Sequence, residues 1–155
     1  MIGRRSLLTI LALAALLAPA PSYAQYSGGT GIGVVLGEPT GVTARFMSGG
    51  NNFQVHAAWS FSGDAAVQLN GDYLRSGRLD TDPMMPFYFG LGARVKFADD
   101  AVLGIRIPLG VSHFFKSDPF EVFAELVPIL DLVPDTDFDF NGAVGIRYFF
   151  RKSSN

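Results

Sequence analysis

The sequence predicts an all-β fold: an eight-stranded antiparallel up-and-down transmembrane β-barrel, preceded by a cleavable signal peptide. Three observations lead there. From Gly29 to Phe150, large apolar side chains alternate with glycine or polar ones, and a period of two is the spacing of side chains across a strand. Turn-forming clusters cut this stretch into about eight runs. An export signal stands in front of it.

The N-terminal segment comes first. Arg4 and Arg5 form a basic region, Leu7 to Ala18 an apolar one, and Ser22-Tyr23-Ala24 offers small residues where signal peptidase cuts. A membrane helix needs about 20 apolar residues, so this segment is too short to span. Residues 1–24 are therefore expected to be a signal peptide read by the Sec pathway, and residues 25–155 one barrel domain. No cysteine is present, which removes disulfides and thiolate chemistry. Without Arg4 and Arg5 the chain has ten basic and fourteen acidic residues, a net charge of −4. No basic patch is interleaved with aromatics, so nucleic acid is excluded as a partner. Eighteen glycines, fourteen phenylalanines and only 17% charged residues are unusual for a soluble domain, where charge is nearer a quarter. No later segment reads as a membrane helix, so residence in a membrane requires a closed barrel without open edges.

The strands are expected over 29–37, 41–48, 52–62, 65–75, 86–97, 101–115, 119–132 and 137–150. Turn residues punctuate them at Gly37–Gly41, Ser48–Asn52, Ser62–Asp64, Ala98–Asp100, Lys116–Pro119 and Pro134–Asp137. Only the link Ser76–Met85 is longer. Links this short demand antiparallel neighbours, and most runs reach the 9–11 residues of a tilted membrane strand. With both termini on the periplasmic side, every external loop is short, which argues against adhesion or receptor binding. Pro108 and Pro128 fall inside the sixth and seventh runs, where proline cannot donate a ladder hydrogen bond. A bulge shared by these two strands is expected there.

The faces follow from parity. Ile32, Val34, Leu36, Phe46, Phe53, Val55, Trp59, Leu69, Phe89, Leu91, Leu103, Ile105, Leu126, Phe138, Val144 and Ile146 represent the apolar face. The opposite face holds Arg45, His56, Asp72, Arg94, Lys96, Arg106, Glu121, Glu125, Asp131, Asp139 and Arg147, with glycines 31, 33, 90, 92, 104, 110 and 145. Alternation alone fits a soluble barrel with its apolar side inward equally well. Three features favour the reverse orientation. The apolar set is too large and aromatic for a narrow eight-stranded interior with a ligand cavity. Glycine makes room where long Arg and Glu side chains crowd into a lumen. Aromatics cluster near strand ends (Phe53, Tyr73, Phe87, Phe97, Tyr148, Phe150), as interfacial girdles require. A cation facing lipid at mid-depth costs roughly 2–4 kcal/mol, so the charged face belongs inside.

Five bases and five acids balance on that face beside His56. Such a mixed set satisfies itself in a narrow lumen, whereas a selective pore would carry an excess of one sign. The network is therefore read as structural filling. Ser60 and His56 share a face of the third run, and Asp72 falls diagonally near His56, which sketches a Ser–His–Asp trio inside the barrel. A buried polar network around one histidine accounts for the same residues. His113 reads as interfacial, and two histidines on separate strands without cysteine suggest no metal site.

Taken together, the mature chain resembles small eight-stranded bacterial outer-membrane proteins of the OmpA/OmpX-like barrel type. The segment Gly33-Val34-Val35-Leu36-Gly37-Glu38-Pro39-Thr40-Gly41, followed by Ala44-Arg45-Phe46, looks like the first hairpin of a group of uncharacterised exported barrels. Ile107-Pro108-Leu109-Gly110 and Pro128-Ile129-Leu130-Asp131-Leu132 are similar to that group too. Gly145-Ile146-Arg147-Tyr148-Phe149-Phe150 resembles the terminal strand signal read by the barrel-assembly machinery, although Arg151–Asn155 follow it. The resemblance implies the fold and an outer-membrane address, with no established activity. The expectation is a monomeric, non-enzymatic barrel in the outer membrane, with a structural or envelope-maintenance role and no cofactor. Its partners would be outer-membrane lipid and, during biogenesis, the assembly machinery. A soluble periplasmic barrel binding an apolar ligand and a membrane-embedded lipid hydrolase are the alternatives.

Overall fold

The computed structural model describes residues 28–38, 40–60, 66–80, 85–115 and 117–150. The expected signal segment lies outside them. The chain forms β1 (Gly28–Gly37), β2 (Thr40–Ser48), β3 (Asn51–Ser60), β4 (Ala66–Leu79), β5 (Met85–Phe97), β6 (Ala101–Arg106), β7 (Leu109–Phe114), β8 (Phe120–Val133) and β9 (Asp137–Phe150). Every pairing is antiparallel. β1 also pairs with β9, from Thr30 opposite Phe150 to Gly37 opposite Ala143, so the sheet closes on itself. β6 and β7 occupy one place in the ring, both lying between β5 and β8. The ring therefore has eight positions, the number at which side chains can fill the interior.

Two details depart from the sequence reading. β4 continues to Leu79, opposite Met85, which shortens the longest link to the residues between them. The expected sixth strand, 101–115, is divided at Ile107-Pro108 into β6 and β7. The prolines do not share a bulge, and that expectation is corrected. On the β8 side Arg106 faces Ile129 and Leu109 faces Leu126, the same register before and after the break. On the β5 side Gly92 faces Arg106 and Phe89 faces Leu109, again without a shift. Gly90 N donates to Pro108 O at 3.0 Å and Ile107 N to Pro128 O at 2.9 Å. Each proline keeps its acceptor and lacks only its donor, so one bond survives where two would normally form. The irregularity lies further along, where Leu103 faces Val133 but Gly104 faces Asp131, leaving Leu132 as the extra residue.

The strand faces separate as parity requires. Ile32, Leu36, Phe53, Leu69, Leu103, Phe138 and Val144 are exposed on the outer face. The interior is polar: Arg94, Arg106 and Glu125 are only 3–4% exposed. Apolar side chains also enter it, among them Val35, Leu74, Tyr88, Phe123, Val127, Ile129 and Phe149. Three of the inward aromatics face a glycine across the ladder. Phe149 lies opposite Gly31, Tyr88 opposite Gly110 and Phe123 opposite Gly145. A Cβ on Gly31 would stand 2.6 Å from Phe149 Cζ, and at Gly110 and Gly145 it would likewise meet the partner ring. The rings thus occupy the volume that the glycines leave. The Ser48–Asn51 turn uses glycine differently: Gly49 and Gly50 have φ of 57° and 88°, as a two-residue primed hairpin turn demands.

Candidate functional site

The interior network is built from residues that strand register brings together from distant parts of the chain. Arg45 on β2 lies opposite Gln54 on β3, and Glu121 on β8 lies opposite Arg147 on β9. Glu121 receives Arg45 Nη1 at 2.7 Å and Arg147 Nη1 at 3.0 Å. Gln54 Oε1 accepts from Arg45 Nε at 3.0 Å, Arg45 Nη2 at 2.6 Å and Arg147 Nη2 at 2.7 Å. Two guanidinium groups are thereby held around one carboxylate and one amide oxygen. Their faces are covered as well: Arg45 stacks 4.0 Å from the Tyr88 ring centroid and Arg147 3.6 Å from that of Phe123. Arg147 also donates to Thr43 Oγ1 from Nε and Nη2.

Gln54 links this cluster to a second one. Its Nε2 donates to Glu125 Oε2 at 3.0 Å and lies 2.6 Å from His56 Nε2. Tyr88 donates its hydroxyl to the same Glu125 oxygen at 2.9 Å, and Arg106 Nη2 reaches Glu125 Oε1 at 3.2 Å. Arg106 Nε faces Asp72 Oδ1 at 3.0 Å, while Asp72 Oδ2 stands 3.8 Å from His56 Nε2. His56, Asp72 and Glu125 are all buried. A third group sits nearer the hairpin end, the end of the barrel where β1 passes to β2 and β8 to β9. Arg94 donates to both carboxylate oxygens of Asp131 and, at 2.9 Å, to Asp139. Asp139 and Lys96 are half-buried there. A Cβ on Gly104 would run into the Asp131 carboxylate, which explains the glycine.

Nine of the eleven polar-face residues read from the sequence are buried in the lumen, and Lys96 and Asp139 are half-buried near its rim. The sequence reading missed Gln54 and Tyr88, which connect the ions, and Thr43, which supports Arg147. It weighed charges and passed over neutral donors and acceptors of the same parity. Gln54 precedes His56 by two residues, and Tyr88 shares the parity of Arg94, so the signal was present.

The geometry limits the chemistry available. His56 and Asp72 do approach one another, but the side chain of Ser60 lies outside the described residues, and Gln54 engages the imidazole nitrogen nearest Asp72. His56, Asp72 and Glu125 offer three ligand atoms within 4.8 Å of one another. Arg106, however, contacts both carboxylates, and the linked ions Arg45, Arg106 and Arg147 already balance Asp72, Glu121 and Glu125. A divalent cation would leave two buried positive charges uncompensated, so this arrangement does not suit one. One small cavity, lined by Glu38, Asn70 and Asn141, reaches His56, Arg106 and Glu125 from the hairpin end. Another, lined by Met47, Ser76, Arg78 and Phe114, reaches Arg45 from the end where β1 begins and β9 finishes. The network lies between them. His113 is exposed near the end of β7, its ring 5.3 Å from that of Phe115 in an edge contact.

Compared with protein-family models, with curated proteins and with solved structures, the chain shows no significant match. Of the expected likeness, the structure bears out the closed antiparallel ring of eight positions.

Proposed function

We propose that the protein is a non-enzymatic β-barrel of the bacterial outer membrane with a structural or envelope-maintenance role, its lumen closed by the charged network. The observation that carries this reading is the inverted distribution of side chains. Large apolar residues such as Phe138, Leu36, Phe53 and Val144 are 56–67% exposed, while Arg45, Glu121 and Arg147 are at most 1% exposed. In water this arrangement would leave an apolar belt around the molecule, far larger than the patches soluble monomers tolerate. In a bilayer the same belt is solvated by hydrocarbon, and closure of the sheet satisfies the edges that lipid would not. Ring contacts between Phe120, Tyr148 and Phe150 at one end of the barrel fit an interfacial girdle.

A soluble carrier of apolar ligands would need an apolar interior, and this one is filled with ion pairs. A lipid hydrolase of this kind would need Asp72 to accept from the imidazole so that the other nitrogen can act as base, whereas the nitrogen nearest Asp72 meets the Gln54 amide instead. Cell fractionation with heat-modifiable gel mobility tests the proposal. The expected result is a heat-sensitive band in the outer membrane that requires detergent for extraction. Recovery of folded protein from the periplasm without detergent would overturn it.

A further inference from the structure

His56 and Asp72 are a buried titratable pair whose hydrogen bonding is incomplete in an informative way. Gln54 cannot turn its amide around: its oxygen accepts from Arg45 and Arg147, whose guanidinium groups carry only donors. Its NH₂ must therefore face His56 Nε2, at 2.6 Å. Two N–H groups cannot point at each other at that distance, so Nε2 is an acceptor and His56 is neutral, protonated on Nδ1. Asp72 completes the geometry. Neither of its carboxylate oxygens accepts a hydrogen bond, although its side chain is wholly buried. Its Oδ1 has the Arg106 ion pair, and Oδ2 looks across 3.8 Å at the lone pair that Gln54 occupies.

We propose that this gap is a proton-binding site and that the ligand it takes is a single proton. A proton between Asp72 Oδ2 and His56 Nε2, whichever atom holds it, makes a direct hydrogen bond between them. That bond uses the acceptor now serving Gln54, so the amide NH₂ is expelled and keeps only Glu125. The charges around the imidazole set the consequence. Arg106, Arg45 and Arg147 face it from β6, β2 and β9, and Asp72, Glu125 and Glu121 from β4 and β8; Tyr88 approaches from β5. Three cations and three anions cancel while His56 is neutral. The arriving proton leaves one positive charge, which repels the positive end of the Gln54 amide and loosens the residue joining the two halves of the network. The cavity beside Glu38 and Asn141 is lined by His56 and has room for a single water, which brings a proton donor to the imidazole.

The test uses nitrogen NMR of the folded, labelled protein in micelles, with His113→Gln leaving His56 as the sole imidazole. At neutral pH the expected signature is an unprotonated Nε2 and a protonated Nδ1. On acidification the His56 nitrogens and the Gln54 side-chain amide shift with one shared midpoint, and Asp72→Asn abolishes the Gln54 response at that midpoint. A protonated Nε2 at neutral pH, a Gln54 amide that stays still, or no titration before unfolding would overturn the proposal. If Asp72→Asn does not fold, the His56 and Gln54 signals in the His113→Gln protein decide alone. None of these readouts depends on which medium wets the outside of the barrel.

Discussion

Replacing Val144 by arginine places a cation in the middle of β9, on the outer face, where valine is 56% exposed and flanked by Leu36 on β1 and Ala124 on β8. Val133 offers the same substitution at the end of β8, on the same face, with valine 46% exposed. The two sites differ chiefly in distance from the barrel rim. An arginine at the bilayer midplane costs roughly 2–4 kcal/mol, and one near the interface about 0–1 kcal/mol. On a surface bathed in water, both changes would stay within about 0.5 kcal/mol of the parent. Urea titration of folding into phosphatidylcholine vesicles separates these cases. The membrane account expects Val144→Arg to be less stable than Val133→Arg by roughly 1–4 kcal/mol, from the depth dependence alone. Equal stabilities, both close to the parent, would refute the reasoning that orients this sheet.

Four further outcomes follow from the packing and the ladder. Glu121→Ala strands the guanidinium groups of Arg45 and Arg147, which it contacts at 2.7 and 3.0 Å, and should cost about 3–5 kcal/mol in the same titration. Gly145→Ala drives a methyl group into the Phe123 ring and should lose about 1–3 kcal/mol. Gly71→Ala, whose methyl meets nothing within 4 Å, should stay within about 0.5 kcal/mol, and a comparable loss there would contradict the packing assigned to Gly145. Amide exchange should find Gly90 and Ile107 protected, because both donate to a proline carbonyl across an unbroken register. Rapid exchange at both would restore a bulge at the prolines.

Much of this architecture is legible in the chain because a period of two is a strong local signal. The last strand, expected over 137–150, is β9 to the residue, and most other boundaries move by one or two positions. The face assignment also follows from parity: Arg45, Glu121 and Arg147 are inward and Phe46, Val144 and Ile146 outward. What parity does not give is which neighbour a side chain meets. Phe123, Val127 and Ile129 share the parity of Glu121 and Glu125, so apolar side chains stand among the ions of the lumen. Phe123 finds room there only because Gly145 lies opposite on another strand, a fact of register. The prolines misled for a related reason. Missing donors suggest a broken ladder, but carbonyls on the same residues hold the register, and the actual irregularity at Leu103/Gly104 has no sequence mark. Parity with His56 places Gln54 in the lumen, but its role as a hub depends on receiving Arg147 from the far end of the chain.

The native chain carries its own probe of what surrounds the barrel. Trp59 is the sole tryptophan, sits on the outer face one residue before the end of β3, and is 40% exposed. Its fluorescence should be measured in vesicles whose acyl chains carry bromine at defined depths. Hydrocarbon around the sheet predicts strong quenching, greatest for bromine near the headgroup end of the chain, with little quenching by acrylamide in the aqueous phase. Full quenching by acrylamide and none by any brominated chain would contradict the account.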